Sequence, residues 1–164
     1  MGSSSFEGEL TALLPRLRRF AHALSRNETD ADDLTQSTIE RALRSRDQWQ
    51  AGTRLDSWAY RIMRNLWIDT VRARSRRERV EAPEDEAERL GADPTSGMEA
   101  SIELNRMMSA MERLPDEQRE VVALILIEGF GYRETAEMLG VPIGTVSSRL
   151  VRGRTALLEL AGVS

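Results

Sequence analysis

Tyr132-Arg133-Glu134-Thr135-Ala136-Glu137-Met138-Leu139-Gly140-Val141-Pro142-Ile143-Gly144-Thr145-Val146-Ser147-Ser148-Arg149-Leu150 is the stretch on which the fold turns. A helix-turn-helix packs two short helices steeply across one another through a tight turn. It needs a small residue where the helices touch, a glycine in the turn and a β-branched apolar residue on the second helix. Ala136, Gly140 and Val146 supply these at offsets of four and ten. Pro142 suits the first turn of the second helix, where its missing N–H costs nothing. That helix then presents Thr145, Ser147, Ser148, Arg149, Arg152 and Arg154. Hydroxyls bond bases or phosphates, and arginine grips guanine through two parallel hydrogen bonds. An ordinary helical hairpin with a solvated polar face satisfies the Ala-Gly-Val spacing equally well. The Ser-Ser-Arg that follows, with Arg152 and Arg154, tips the reading toward DNA.

Upstream, the periodicity is helical throughout. Leu10, Leu13, Leu14, Leu17, Phe20, Ala21 and Leu24 recur at three- and four-residue spacing and predict one amphipathic helix over 7–24. Asn27 or Thr29 can cap a second helix whose first turn carries Asp30, Asp32 and Asp33, acids that complement the positive helix end. This helix is expected to run to about Arg46 and to bury Leu34, Ala42 and Leu43. A loop from Trp49 to Thr53 leads to a third helix over 55–79, with Trp58, Ile62, Leu66 and either Ile68 or Val71 facing inward. Helical spacing returns over 98–113, where Ile102, Met108, Met111 and Leu114 are expected to share a face, and Pro115 opens a helix over 116–128. The expected fold is all-α: two small helical domains, residues 1–79 and 98–164, joined by a flexible acidic linker, 80–97. Pro83, Gly91, Pro94, Ser96 and Gly97 among a run of acids make that linker too polar and broken to build a core, beyond one helical turn near 86–90.

Composition narrows the function classes. With no cysteine, disulfides, thiolate metal sites and cysteine nucleophiles are excluded, and a single histidine, His22, argues against a histidine-based metal site. No metal and no cofactor is expected. No apolar core of a signal peptide follows Met1–Ser5, and no apolar run approaches the ~20 residues that span a bilayer. A soluble, cytoplasmic protein without membrane insertion is the expectation. The net charge is −4, yet its distribution is uneven. From Arg54 to Arg79 eight arginines face three acids, and from Val80 to Glu103 eight acids face one arginine. Charge segregated in this way binds phosphate locally although the total is negative. The acidic linker could in turn cover those basic surfaces.

At these residues the chain resembles a known family. Leu114-Pro115, Arg119, Gly129–Ala136, Gly140–Leu150 and Arg152-Gly153-Arg154 resemble region 4 of the extracytoplasmic-function sigma factors. Asp30–Gln36 resembles their region 2.1–2.2, and Ser57-Trp58, Arg61-Ile62, Arg64-Asn65-Leu66, Asp69 and Arg72 resemble regions 2.3–2.4. The resemblance runs through nearly the whole chain in the right order. It implies an alternative sigma factor, which directs initiation at chosen promoters and is not an enzyme. Its implied partners are core RNA polymerase (the β′ clamp helices and the β flap), promoter DNA and an anti-sigma factor. It makes Asp33, Gln36, Glu40 and Arg41 polymerase contacts. Arg61, Arg64, Asn65, Asp69, Arg72 and Arg76 become contacts to the melted −10 element, with the segment from Trp49 to Trp58 able to frame a pocket for a displaced base. Thr145, Ser147, Ser148, Arg149, Arg152 and Arg154 become contacts to −35 duplex. The chain departs from the family pattern at Ser147, where a basic residue is common, and at Ser37, where an acid is.

Other readings attach to the same residues. A regulator that binds duplex DNA without polymerase accounts for 132–154 but leaves the first three helices unexplained. A phosphodiesterase built on the Asp30–Asp33 acids lacks a convergent histidine, cysteine or glycine-rich phosphate loop. Those acids also suit a helix first turn and nothing more, Trp58 suits a core, and Arg74–Arg79 suits either a solvated helix end or a phosphate grip.

Overall fold

The structure is a computed structural model that describes residues 5–80 and 99–162; the expected linker from 81 on, with its helical turn, lies outside the described residues. Every regular element among the described residues is a helix. The chain divides into two compact units, Met1–Asp85 and Glu86–Ser164.

The first unit holds α1 (Phe6–Ala12), α2 (Leu14–Ser25), α3 (Glu28–Arg44), a 3₁₀ turn (Arg46–Gln48) and α4 (Leu55–Val80). The single helix expected over 7–24 is two helices, and Pro15 is the reason. A proline lacks an N–H to donate and crowds the carbonyl four residues back, so it is tolerated in the first turn of a helix and not in its interior. Here it opens α2, after α1 has ended at Ala12. Asn27, rather than Thr29, caps α3: its Oδ1 accepts from the Asp30 N–H at 2.8 Å. The tight α2–α3 turn puts Arg26 at φ 59°, the left-handed region that side chains rarely adopt. α3 stops at Arg44, two residues short of the expected end, where the chain tightens into the 3₁₀ turn.

Leu17, Phe20, Ala21 and Leu24 of α2 pack on Ala31, Leu34 and Ala42 of α3 and on Leu55, Ala59, Tyr60 and Met63 of α4. Fully burying each larger side chain contributes roughly 1.5–3 kcal/mol. The rings of Phe20 and Tyr60 stack at 4.8 Å. Two threonines lie on the buried face of α3, and both hydroxyls donate back into the helix, Thr35 to the Ala31 carbonyl (2.7 Å) and Thr38 to that of Leu34 (2.8 Å). The inward face of α4 differs from expectation. Ala59 and Met63 lie at its centre, so Trp58, Ile62, Leu66 and Ile68, one step off that line, are only half-buried. Val71 and Leu43 are exposed.

The second unit holds α5 (Glu99–Glu112), α6 (Asp116–Val122) running into a π turn (Ala123–Ile127), α7 (Tyr132–Leu139) and α8 (Ile143–Ala161). The helix expected over 116–128 widens after Val122: the Glu128 N–H donates to the Ala123 carbonyl, five residues back. Among the described side chains of α5, burial comes toward its C-terminal end. Ala110 and Leu114 reach the core and Met111 is half-buried, whereas Ile102 and Met108, expected beside them, are exposed. Ala136 and Val146 are buried where α7 meets α8, and Gly140, at φ 68°, closes α7 in the conformation that favours glycine. Pro142 stands at the cap of α8, just before its first turn.

Arg119 is the largest fully buried side chain among the described residues. Its Nη1 donates to the Leu114 carbonyl at 2.7 Å and its Nη2 to Asp116 Oδ1 at 2.6 Å, so the α5–α6 connection and the start of α6 are fastened to one guanidinium. Farther along α6, Gly153 of α8 allows a close crossing. A Cβ there would lie 2.8 Å from Val122 Cγ2, 3.2 Å from Gln118 Cβ and 3.3 Å from the Gln118 carbonyl oxygen. Alanine is intrinsically the better helix residue by about 1 kcal/mol. The crossing overrides that gain, and Gly153→Ala is expected to lower stability by about 1–3 kcal/mol in urea unfolding. An unchanged or higher midpoint would show that α6 gives way without strain.

Candidate nucleic-acid and polymerase interface

Successive residues of an α-helix turn by about 100°, so residues that share a stripe are separated by three, four, seven or eleven positions. On α4, Arg61, Asn65, Asp69, Arg72 and Arg76 satisfy this spacing, and all five are exposed, on the side away from Ala59 and Met63. Three guanidiniums, an amide and one carboxylate thus line a single solvent-facing stripe. Arg64 does not join them; it lies off the stripe and is half-buried. On α3, Asp33, Gln36 and Glu40 form a second exposed stripe opposite Ala31, Leu34 and Ala42, with exposed Arg41 at its edge.

α3 and α4 meet along a cleft of about 390 Å³ whose lining includes Asp30, Asp33, Ser37, Trp67, Asp69 and Arg74. Arg74 closes one end. It forms a two-pronged bond to Asp30 (3.0 and 2.9 Å) while its guanidinium lies 5.6 Å from the centre of the Trp67 ring. Asp30 therefore has a structural use beyond the helix dipole, and Arg74, unlike Arg76, is held within the unit. Sequence spacing carried no sign of this pair, whose members are 44 residues apart.

The segment from Trp49 to Trp58 is organised by a residue from α1. Phe6 packs on Trp49 at 5.5 Å and on Trp58 at 5.9 Å, so the two indoles share a phenyl ring as a common neighbour. Arg46 lies over that same ring, 5.5 Å from its centre, and donates to Glu7 Oε2 at 2.6 Å. The Trp49 indole N–H is buried without an acceptor. At the start of α4, Asp56 ties this loop to α2: Arg54 donates to both its oxygens (3.1 and 2.9 Å), Arg16 of α2 to Oδ2 (3.1 Å) and the Ser57 N–H to Oδ1 (2.8 Å). None of Phe6, Arg16, Arg54 or Asp56 was singled out by sequence reasoning; an acid in the first turn of a helix is too common to mark an anchor.

In the second unit, Val146, Leu150, Gly153 and Leu157 form the buried stripe of α8. Thr145, Ser148, Arg149 and Arg152 lie to one flank of it, and Ser147 and Arg154 toward the other, so the six expected contacts do not share one stripe. Arg152 and Arg154 are exposed, and Arg152 Nη2 donates to Ser148 Oγ at 2.9 Å. Arg149 is mostly covered, with its guanidinium 3.7 Å from Glu117 of α6. Among the described residues no group of three histidine, cysteine or acidic side chains could hold a metal ion, and no helix is long and apolar enough to cross a membrane.

Two helical units, one with an arginine-rich exposed stripe on a long helix and one with a helix-turn-helix, have the make-up of a DNA-binding protein. Residues 10–77 match the family described as Sigma-70 region 2, and residues 104–157 match Sigma-70, region 4. The ECF RNA polymerase sigma factor EcfG of Rhodopseudomonas palustris is 38% identical over 158 residues, 96% of this chain and 86% of that protein. The sigma factor RpoE of Bartonella quintana, solved in complex with the anti-sigma factor NepR, is 32% identical with a TM-score of 0.83, covering 97% of this chain and 98% of that one. CnrH, solved with the cytosolic domain of CnrY, is 27% identical with a TM-score of 0.66 over 97% and 89% of the two chains. The chain belongs to the extracytoplasmic-function group of sigma-70 factors. As such it binds core RNA polymerase and directs initiation at particular promoters.

The Asp56 anchor has a pH signature. Burial pushes its carboxyl up, but the hydrogen bond and charge of Arg54, the Ser57 N–H and Arg16 outweigh burial and hold it below the ordinary value of 3.8. A carboxylate whose folded pKa is lowered contributes stability that is present above the unfolded value and lost as pH falls through the folded one. Asp56→Asn is therefore expected to lower the melting temperature at pH 7 and to flatten its decline below pH ~4. A parallel acid limb in both proteins would count against the anchor.

Proposed function

We propose that the units, 1–79 and 98–164 with the acidic stretch 80–97 between them, divide the promoter. The exposed stripe of α4, Arg61, Asn65, Asp69, Arg72 and Arg76, holds the melted −10 strand, with Arg64 beside it. α8 reads −35 duplex with Thr145, Ser147, Ser148, Arg149, Arg152 and Arg154. Asp33, Gln36, Glu40 and Arg41 of α3 dock on the clamp helices of β′, and the second unit engages the β flap. The observation that carries this division is the α4 stripe: five side chains suited to phosphates and base edges on one solvent-facing line, in the unit without the helix-turn-helix. The similar sigma factor RpoE has been solved with the anti-sigma factor NepR, which supports control of this chain by an anti-sigma factor. The protein acts in the cytoplasm as a specificity subunit and carries out no catalysis of its own.

The test is reconstitution. Full-length protein with core polymerase, offered promoters selected from a genomic library, is expected to give specific abortive transcripts, and the protein alone is expected to bind the same duplexes weakly. Tight duplex binding without polymerase, and no specific start with it, would refute the reading. Within the same assay Arg149→Ala should cost about 1–3 kcal/mol of −35 recognition and relax base preference. A uniform loss across sequences would instead make Arg149 a phosphate contact.

A further inference from the structure

Arg149 does not project freely from α8. Only 20% of its side chain is exposed, and Nη2 lies 3.7 Å from Oε2 of Glu117, in the first turn of α6 and outside the helix-turn-helix. Two features place that carboxylate. Arg119 fastens the first turn of α6 through Asp116, the neighbour of Glu117. The crossing at Gly153 sets α8 against Gln118, the next residue of α6. Arg149 precedes Gly153 by four residues, about one helical turn, so the crossing itself brings Arg149 to Glu117.

A carboxylate beside a DNA-reading helix repels phosphates and weakens binding to every duplex alike. Its one sequence-dependent route of action is through the guanidinium it holds. At 3.7 Å the contact is an ion pair and not a hydrogen bond, and guanidinium is a rigid planar fork of five N–H donors, so a negative charge fixed off one edge biases the direction in which the others face. We infer that Glu117 is a specificity-determining positioning residue, which directs the Arg149 guanidinium toward a base edge so that an arginine–carboxylate pair, rather than a free arginine, reads that position. The inference rests on Arg149 contacting the −35 duplex as proposed above.

The experiment uses holoenzyme assembled from the full chain and core polymerase. It measures the ratio of affinities for a strong promoter and for the same promoter with single base changes across the −35 element. A ratio cancels the uniform gain expected from removing a negative charge. Arg149→Ala should reduce the ratio about ten-fold at one position. Glu117→Gln, which keeps the shape, should reduce it about two- to five-fold at that same position. The double variant should match Arg149→Ala alone, and the melting temperature of Glu117→Gln should stay near that of the parent, since a 3.7 Å pair whose carboxylate is exposed to water adds little stability. If Arg149→Ala shifts the ratio and Glu117→Gln leaves it unchanged, or if the two effects add, Glu117 has no positioning role and the reading of Arg149 stands. If Arg149→Ala is silent, that reading fails and the inference falls with it.

Discussion

The crossing of α6 over α8 at Gly153 is the contact on which the second unit depends. Helix axes approach this closely only where one partner presents no side chain, and with the Gln118 carbonyl 3.3 Å from where a Cβ would stand, the crossing has no room for one. A crossing so tight is useful only if α6 is itself fixed, and Arg119 supplies that. Its burial takes a charge out of water, a loss offset by the Leu114 carbonyl and the Asp116 carboxylate. The orientation of α8, and so of whatever it reads, descends from a glycine and an arginine that never face the solvent.

The first unit is held differently. Its centre is apolar, and its ion pairs sit at the perimeter, where Asp56 joins α2 to α4 and Asp30 joins α3 to α4. Those bonds fasten both ends of the face between the helices and leave the middle of the α4 stripe unencumbered. Arg74 and Arg76 illustrate the distinction. They are two residues apart in one basic cluster and both are exposed, yet Arg74 is folded onto Asp30 and Trp67 while Arg76 lies on the outward stripe.

Helix type, order and the turn at Gly140 were legible in the sequence because they follow from local spacing and local backbone chemistry. The family resemblance named six residues of α4, and helical geometry puts five of them on a common face while leaving Arg64 off it. What escaped was decided by partners distant in the chain. Leu43, Ile102 and Met108 have the spacing of core residues, but no neighbouring helix covers them among the described residues. Phe6 as the organiser of two tryptophans, and Glu117 as the partner of Arg149, depend on where other helices come to rest. Pro15 is the exception: its effect is local, and the leucine periodicity masked a break that its ring chemistry requires.

The aromatic arrangement has an optical consequence. All three tryptophans, Trp49, Trp58 and Trp67, belong to the first unit, and each has a distinct environment: a T-shaped contact with Phe6 for Trp58, a tilted contact with the same ring and a buried indole N–H without an acceptor for Trp49, and the Arg74 guanidinium for Trp67. The helix-turn-helix unit contributes none. Indole emission from the unlabelled protein is thus a built-in channel that watches one half of the molecule while the other stays dark.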